Sequence, residues 1–293
     1  MEFVFGLPYE EAIQKLGERS PLGSLLTSAQ WANVPVALRE RAFFSATVES
    51  ARWLTQARQF LNDSLANTTA LNENGERYFV AGGRSQFIEQ LQTKAIALGL
   101  GPLDPDDAGT IEDIRSATRL ALVYDTNLQS AQGYGNWKES QDSDLLDAFP
   151  SSRFVRVKAV RKPRPLHQAH LNEVRRKDDL KFYLQMNSRS IGGFGVPWPP
   201  FGFRSGMGLQ DVGRAESDKL GLTTPNETIQ PVEKDFNDNL QASTQNLDPK
   251  LVGFLKAAFG DRAKFEDDAV SWNVPNNGDS DQPNDERRND DGE

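Results

Sequence analysis

Apolar residues recur at three- and four-residue steps through the first third of the chain, which predicts a helical N-terminal region. Pro8 suits a first helical position, Glu10 and Glu11 complement the helix dipole, and Ala12, Ile13 and Leu16 lie on one side. A second apolar stripe, Phe43, Ala46, Leu54, Ala57, Leu61 and Leu65, follows Pro35. A single helix from Pro35 to Ala66 would span roughly 48 Å, so the run either breaks midway or forms an extended arm. A third helix is expected to open on Ser85 as N-cap, carry Phe87, Ile88, Leu91 and Ala95 inward, and stop before Gly99. Pro, Asp and Gly then crowd residues 101–109, a boundary or turn. Beyond it Thr110 is placed to cap a long helix, with Asp113 three residues on and Ile111, Ile114, Ala117, Ala121, Tyr124, Leu128 and Ala131 along its apolar face.

The period shortens to two at Phe154 to Val160, where Val155, Val157 and Ala159 alternate with Arg156 and Lys158 as in a strand. Residues 191–208, IGGFGVPWPPFGFRSGMG, fit neither a regular helix nor a strand, and their aromatic rings are expected to seal the loop against a neighbour. Asp248-Pro249 opens a short helix with Leu251, Leu255, Ala258 and Phe259 on one face, ended by Gly260. Residues 276–293 hold Asp, Glu, Asn and Gly without apolar periodicity and are expected to be disordered. The pattern predicts an α+β protein: a helical N-terminal region (1–100), a compact core of a helix on a small sheet (101–215), a C-terminal extension with a short helix (216–272) and a disordered acidic tail (273–293).

Composition narrows the function classes. Hydrophobic residues make up 37% of the 293, which leaves part of the chain outside any core. The 42 acids and 33 bases give a net charge of -9, favouring solubility and disfavouring general coating of nucleic acid, while permitting a local basic patch. With no cysteine there is no disulfide framework, thiolate metal site or thiol nucleophile. The N-terminus lacks the basic region of a signal peptide, and nothing approaches the roughly 18 consecutive apolar residues of a membrane helix, so no membrane partner is expected.

Bases accumulate where the strand begins: Arg153, Arg156, Lys158, Arg161, Lys162 and Arg164, then Arg175, Arg176 and Lys177, opposed only by Glu173 until Asp178. Such a cluster suits DNA or an acidic protein surface; the plainer alternative is a strand edge kept solvated by its charges. No aromatic ladder runs through it, so the sequence gives no support for stacking on single strands. His167 and His170, the only histidines, lie three residues apart in the following turn. Two imidazoles are short of a zinc ligand set, and His167 reads as a structural hydrogen-bonder pinning the turn.

Several of these stretches together resemble the phage Mu F-like minor head proteins, the phage head morphogenesis family. Within Arg119 to Trp137, RLALVYDTNLQSAQGYGNW, Tyr124, Thr126 and Asn127 match its Tyr-x-Thr-Asn signature. Arg164, Pro165 and His167 match Arg-x-Arg-Pro-x-His, and Trp198-Pro199-Pro200-Phe201-Gly202-Phe203 stands where the family has Tyr-Pro-Pro-x-Gly-Trp, matching at Pro199, Pro200 and Gly202. Leu-Pro-x-Glu-Glu-Ala-Ile at 7–13, Arg41-Ala42-Phe43-Phe44-Ser45-Ala46 and Leu61 to Leu65 keep the order seen ahead of the family core, so the resemblance covers roughly residues 7–213. Many members carry Cys-x-Cys after the Pro-Pro-x-Gly loop; Ser205 and Met207 occupy those positions here.

The resemblance implies a minor head (capsid) protein of a tailed phage or prophage, present in few copies and acting in head morphogenesis at the portal vertex. Its expected partners are the portal protein and the major capsid or scaffolding protein, with possible contact to DNA during packaging. Its expected locations are the host cytoplasm during assembly and the virion head. No catalytic residue, cofactor or metal is expected. Thr126 and Asn127 make a specific polar contact at an interface or in a site, or else Asn127 satisfies neighbouring backbone inside the domain. A distant kinship proposed between such domains and small ribonuclease-like toxins supplies the alternative, a nuclease or toxin-like effector using His167 with Arg164 as an acid-base site.

Overall fold

Glu10 and Glu11 open helix α1 (Glu10–Glu18), whose buried side is Ala12, Lys15 and Leu16. The computed structural model describes residues 10–66, 83–232 and 241–272, with the backbone alone for 69–71 and 77–79; Pro8 and the acidic stretch 276–293 lie outside the described residues. The fold is mixed α+β, helices with small sheets. After α1 come the short strand β1 (Ser20–Pro21), helix α2 (Ser28–Trp31) with a Thr27–Gln30 capping box, α3 (Val36–Arg41) and strand β2 (Ala42–Phe43). The run from Pro35 to Ala66 therefore breaks. Ala42 and Phe43 pair in parallel with Ser20 and Pro21, and Thr47 takes a positive φ of 60°. Helix α4 begins only at Ala51 and ends at Ala66. Extended backbone sends Phe43 and Phe44 to opposite sides, Phe43 into the helical core and Phe44 onto Trp31 at 4.3 Å between ring centroids.

Strands β3 (Thr69–Leu71) and β4 (Arg77–Phe79) form an antiparallel pair, followed by α5 (Gly83–Ala97). Ser85, expected as the N-cap, lies inside α5. Gly99 ends that helix at a φ of 67°, with the Leu100 amide returning to the Ala95 carbonyl and the Gly99 amide to Ile96.

Thr110 does not cap the long helix. The Asp113 carboxylate accepts from the amides of Gly109 and Arg115, closing residues 109–115 into turns, and Ser116 caps α6 (Ala117–Glu139) through the Arg119 amide. Leu120 and Val123 of α6 join Leu16, Trp53, Leu61, Phe87 and Leu91 in a core shared by α1, α4, α5 and α6, where the Trp53 indole donates to the Leu91 carbonyl at 3.1 Å. Tyr134 and Trp137, about three to four turns on, face a separate cluster with Val196 and Trp198.

Helix α7 (Ser143–Ala148) leads into β5 (Ser151–Arg156), then α8 (Pro165–Ala169), β6 (Val174–Arg176), α9 (Leu180–Met186), β7 (Met207–Val212) and α10 (Arg214–Lys219). The antiparallel sheet has the order β6-β5-β7, with Ser152 opposite both Arg175 and Asp211. The strand expected at 154–160 thus begins earlier, at Ser151, and ends at Arg156. Phe154 is fully buried, while Val157 is 68% exposed. The ladder stops because the Gly206 carbonyl accepts from both Val157 and Lys158, two amides on one oxygen, which turns the chain out of the sheet. The loop expected to run to Gly208 gives way to β7 at Met207.

Strand β8 (Gln241–Ser243), helix α11 (Pro249–Phe259), and strands β9 (Ala263–Glu266) and β10 (Ala269–Trp272) close the described chain, the strands ordered β8-β10-β9. Asp248 caps α11 through the Lys250 amide. Leu251, Leu255 and Phe259 pack on Leu22, Val34, Leu38 and Ala42, so this segment returns to the first residues of the chain. Arg262 donates to the Glu18 carbonyl at 2.7 Å. No described helix is long and apolar enough to cross a membrane.

Candidate functional site

The loop between α9 and β7 is held from two sides by buried or half-buried polar groups. Arg164 precedes α8, where Pro165 occupies the first turn. Its guanidinium donates to the carbonyls of Ile191 (2.7 Å), Gly192 (3.3 Å) and Phe203 (3.1 Å), clamping both ends of the loop. Gly202, at a φ of 97°, lies where a Cβ would run into the Gly192 carbonyl and the Arg164 guanidinium, so this close approach needs glycine. From the other side Asn187, fully buried, donates to the carbonyls of Val196 (2.8 Å), Trp198 (3.1 Å) and Pro200 (3.4 Å), and its Oδ1 accepts from the Phe194 amide. Pro199 and Pro200, joined by a cis peptide, carry the chain past α6, where the Pro199 carbonyl faces Gly133 without room for a side chain.

His167 lies beneath this loop. It is 1% exposed, its Nε2 is 2.7 Å from the Met186 carbonyl, and its ring meets Phe154 edge-on at 5.5 Å. Burial pushes its pKa below the usual 6.5, and the Arg164 and Arg156 charges push the same way against the Met186 hydrogen bond. The imidazole is therefore neutral at pH 7, with Nε2–H donating to Met186, and both ring nitrogens are buried. His170 instead pairs with Glu173. Among the described residues no group of three or more His, Asp or Glu side chains is placed to hold a metal ion. Ser205 and Met207, the positions compared with Cys-x-Cys in the resemblance, are both buried, Met207 in the sheet core beside Phe154 and Phe201.

The structure gathers Arg164, Pro165, His167, Pro199, Pro200 and Gly202 around one loop, and leaves Tyr124, Thr126 and Asn127 further along α6. Tyr124 packs on Phe87 at 5.3 Å, and Thr126 is half-buried. Asn127 makes the local backbone bond considered for it, Nδ2 donating to the Val123 carbonyl at 2.9 Å, and its Oδ1 accepts from Arg19 at 3.4 Å within the chain.

Arg19 belongs to a buried ionic cluster that the sequence reading did not single out. Its guanidinium donates to the Glu40 carbonyl and carboxylate, both at 3.1 Å, and Lys15 reaches the same carboxylate at 2.7 Å. The Lys15 side chain has 0% exposure and its ammonium sits 4.2 Å from the ring centroids of both Tyr134 and Trp198. Burial draws its pKa down to about 7 against the pull of Glu40, with the Arg19 and Arg41 charges adding to the fall. For Glu40, burial works against ionisation, but Lys15 and Arg19 overcome it and hold the carboxyl at about 2. One signal was available: Lys15 lies three residues from Ala12 and one from Leu16, on the helix side that the apolar spacing turns inward.

The nine bases between 153 and 177 divide sharply. Arg153 pairs with Glu216 at 2.6 Å, Arg175 with Glu173, Arg176 with Asp178 and Glu227, and Lys177 with Asp211 at 2.9 Å. Arg156 donates to neutral oxygens of Ser205 and Gln168, and Lys158, Arg161 and Lys162 project into solvent. Strand β5 is the central strand of its sheet, so charges there have no free edge to protect.

No family model, curated protein or solved structure matches this chain.

Proposed function

We propose that the protein is a minor head protein of a tailed phage or prophage, acting in head morphogenesis at the portal vertex. The observation that carries this reading is the convergence of Arg164, His167 and the Pro199-Pro200-Phe201-Gly202 turn. These residues lie apart in sequence, follow the order of the head morphogenesis motifs, and meet at one loop: Arg164 donates to Ile191 and Phe203 and lies against Gly202, and the His167 ring meets Phe201 edge-on at 6.4 Å. Their roles support assembly over catalysis: Arg164 is spent on three carbonyls, and the imidazole of His167 is sealed beneath a loop. The portal protein, with the major capsid or scaffolding protein, is the partner this reading calls for, and contact with packaged DNA belongs to the same proposal. The protein would act in the host cytoplasm during assembly and remain in the virion head.

Deleting the gene from its phage or prophage, inducing, and counting DNA-filled heads by electron microscopy tests this reading. A drop in filled heads, with the protein detected in purified wild-type virions and co-purifying with portal, is the expected outcome. Undiminished filled heads and no association with portal would sink it. RNA or DNA cleavage by the purified protein, abolished by His167→Ala, would replace it with the nuclease reading.

A further inference from the structure

Of the chain's 42 acids, none falls within residues 148–172 or 180–210. The fold lays these two acid-free stretches against each other. Arg156 donates to the Ser205 carbonyl at 3.4 Å and Arg164 to the Phe203 carbonyl at 3.1 Å, while the Val157 and Lys158 amides share Gly206. The backbone on either side of the exposed Arg204 is thereby held by two guanidiniums, the Lys158 backbone meets Gly206, and Arg161 and Lys162 lie on the segment leading to Arg164. Among the described residues no carboxylate lies within ion-pair distance of any of these six bases; the acids of this region are engaged with Arg153, Arg175, Arg176 and Lys177. A molecule of net charge -9 thus carries one surface where positive charge is not neutralised by a carboxylate.

An aromatic ring stands in this surface. Phe203 is 48% exposed between the Arg164 and Arg204 positions, its ring held edge-on by Phe194 at 4.9 Å. Neither stretch shows this alone, because the bases precede the ring by some forty residues in sequence and meet it through the Arg164, Arg156 and Gly206 contacts. Cations around a fixed, solvent-facing ring suit a strand whose phosphates and base faces are both available. A duplex hides its base faces and would leave Phe203 unused; an acidic peptide would meet the charges and not the ring. We propose that this face binds single-stranded nucleic acid, with Arg156, Lys158, Arg161, Lys162 and Arg204 taking phosphates and Phe203 stacking on a base. This activity does not depend on a role in head assembly.

The test is fluorescence anisotropy of the full-length protein with a labelled oligothymidylate of about 20 nucleotides, against a mixed-sequence duplex of equal length. The single strand is expected to bind more tightly than the duplex. Phe203→Ala should weaken single-strand binding about tenfold or more with an unchanged thermal melt, and Phe203→Trp should preserve it. Arg161→Gln with Lys162→Gln should flatten the log-log salt dependence by up to about 0.7 per lost phosphate contact. Three results would overturn the proposal: no binding to either probe, duplex binding as tight as single-strand binding and indifferent to Phe203→Ala, or displacement of the oligonucleotide by polyglutamate at equal charge concentration.

Discussion

The amide of Asn187 hydrogen-bonds three carbonyls and one backbone N–H of the loop that crosses α6. Asn187→Ala leaves those groups buried and unpaired, and a loss of more than about 2 kcal/mol is expected in denaturant unfolding. Asn187→Asp should cost more, because it points an acceptor at three acceptors. Glu40 makes a sharper case. Its folded pKa of about 2 lies below the ordinary 4.5, so the stability it contributes is complete above pH 4.5 and is lost as pH falls toward 2. Glu40→Gln should remove that acid-range loss from the stability profile and cost about 3–5 kcal/mol at neutral pH, since Lys15 and Arg19 would remain buried without their carboxylate. Melts of the two proteins across pH 2–7 check both statements. Residue types alone made His167 readable as a hydrogen-bonder. They did not reveal Asn187, because a lone Asn in Gln-Met-Asn-Ser-Arg has no period or spacing that foretells four partners.

Elements were legible where a local pattern governs them and misplaced where a distant partner does. The buried sides of α1 and α5 and the capped helix α11 follow their apolar spacing directly. The break at 42–50 depends on pairing with Ser20 and Pro21, and the turn at 109–115 on Asp113 capturing its own backbone, so periodicity ran through both. Strand β5 was placed too late because the alternation of Val155, Val157 and Ala159 runs on past Arg156, where the Gly206 carbonyl ends the ladder. Two glycines in helices show opposite constraints. At Gly133 an added Cβ would strike the Pro199 carbonyl, whereas at Gly253 it would meet nothing within 4 Å. Gly133→Ala is expected to destabilise by about 1–3 kcal/mol or more through overpacking. Gly253→Ala should stabilise by about 1 kcal/mol through helix propensity. Equal melting temperatures for the two variants would contradict the packing of α6 on the loop.

At the scale of the molecule, residues 22–44 and 241–272 make a core of their own. Leu255→Ala should cost about 2–5 kcal/mol, and amide exchange should accelerate in α3 and at the Leu22 amide as well as in α11. Acceleration confined to α11 would contradict this shared core. The arrangement also sets an order of events during synthesis. Leu22, Val34, Leu38 and Ala42 emerge from the ribosome about 210 residues before Leu251, which at about 5–20 residues per second is an interval of roughly 10–40 s. For that time the nascent chain displays an apolar surface whose cover has not been translated. A chaperone that grips apolar segments therefore has its longest opportunity at residues 22–44, and a ribosome stalled before residue 250 would release a chain prone to aggregate through that surface.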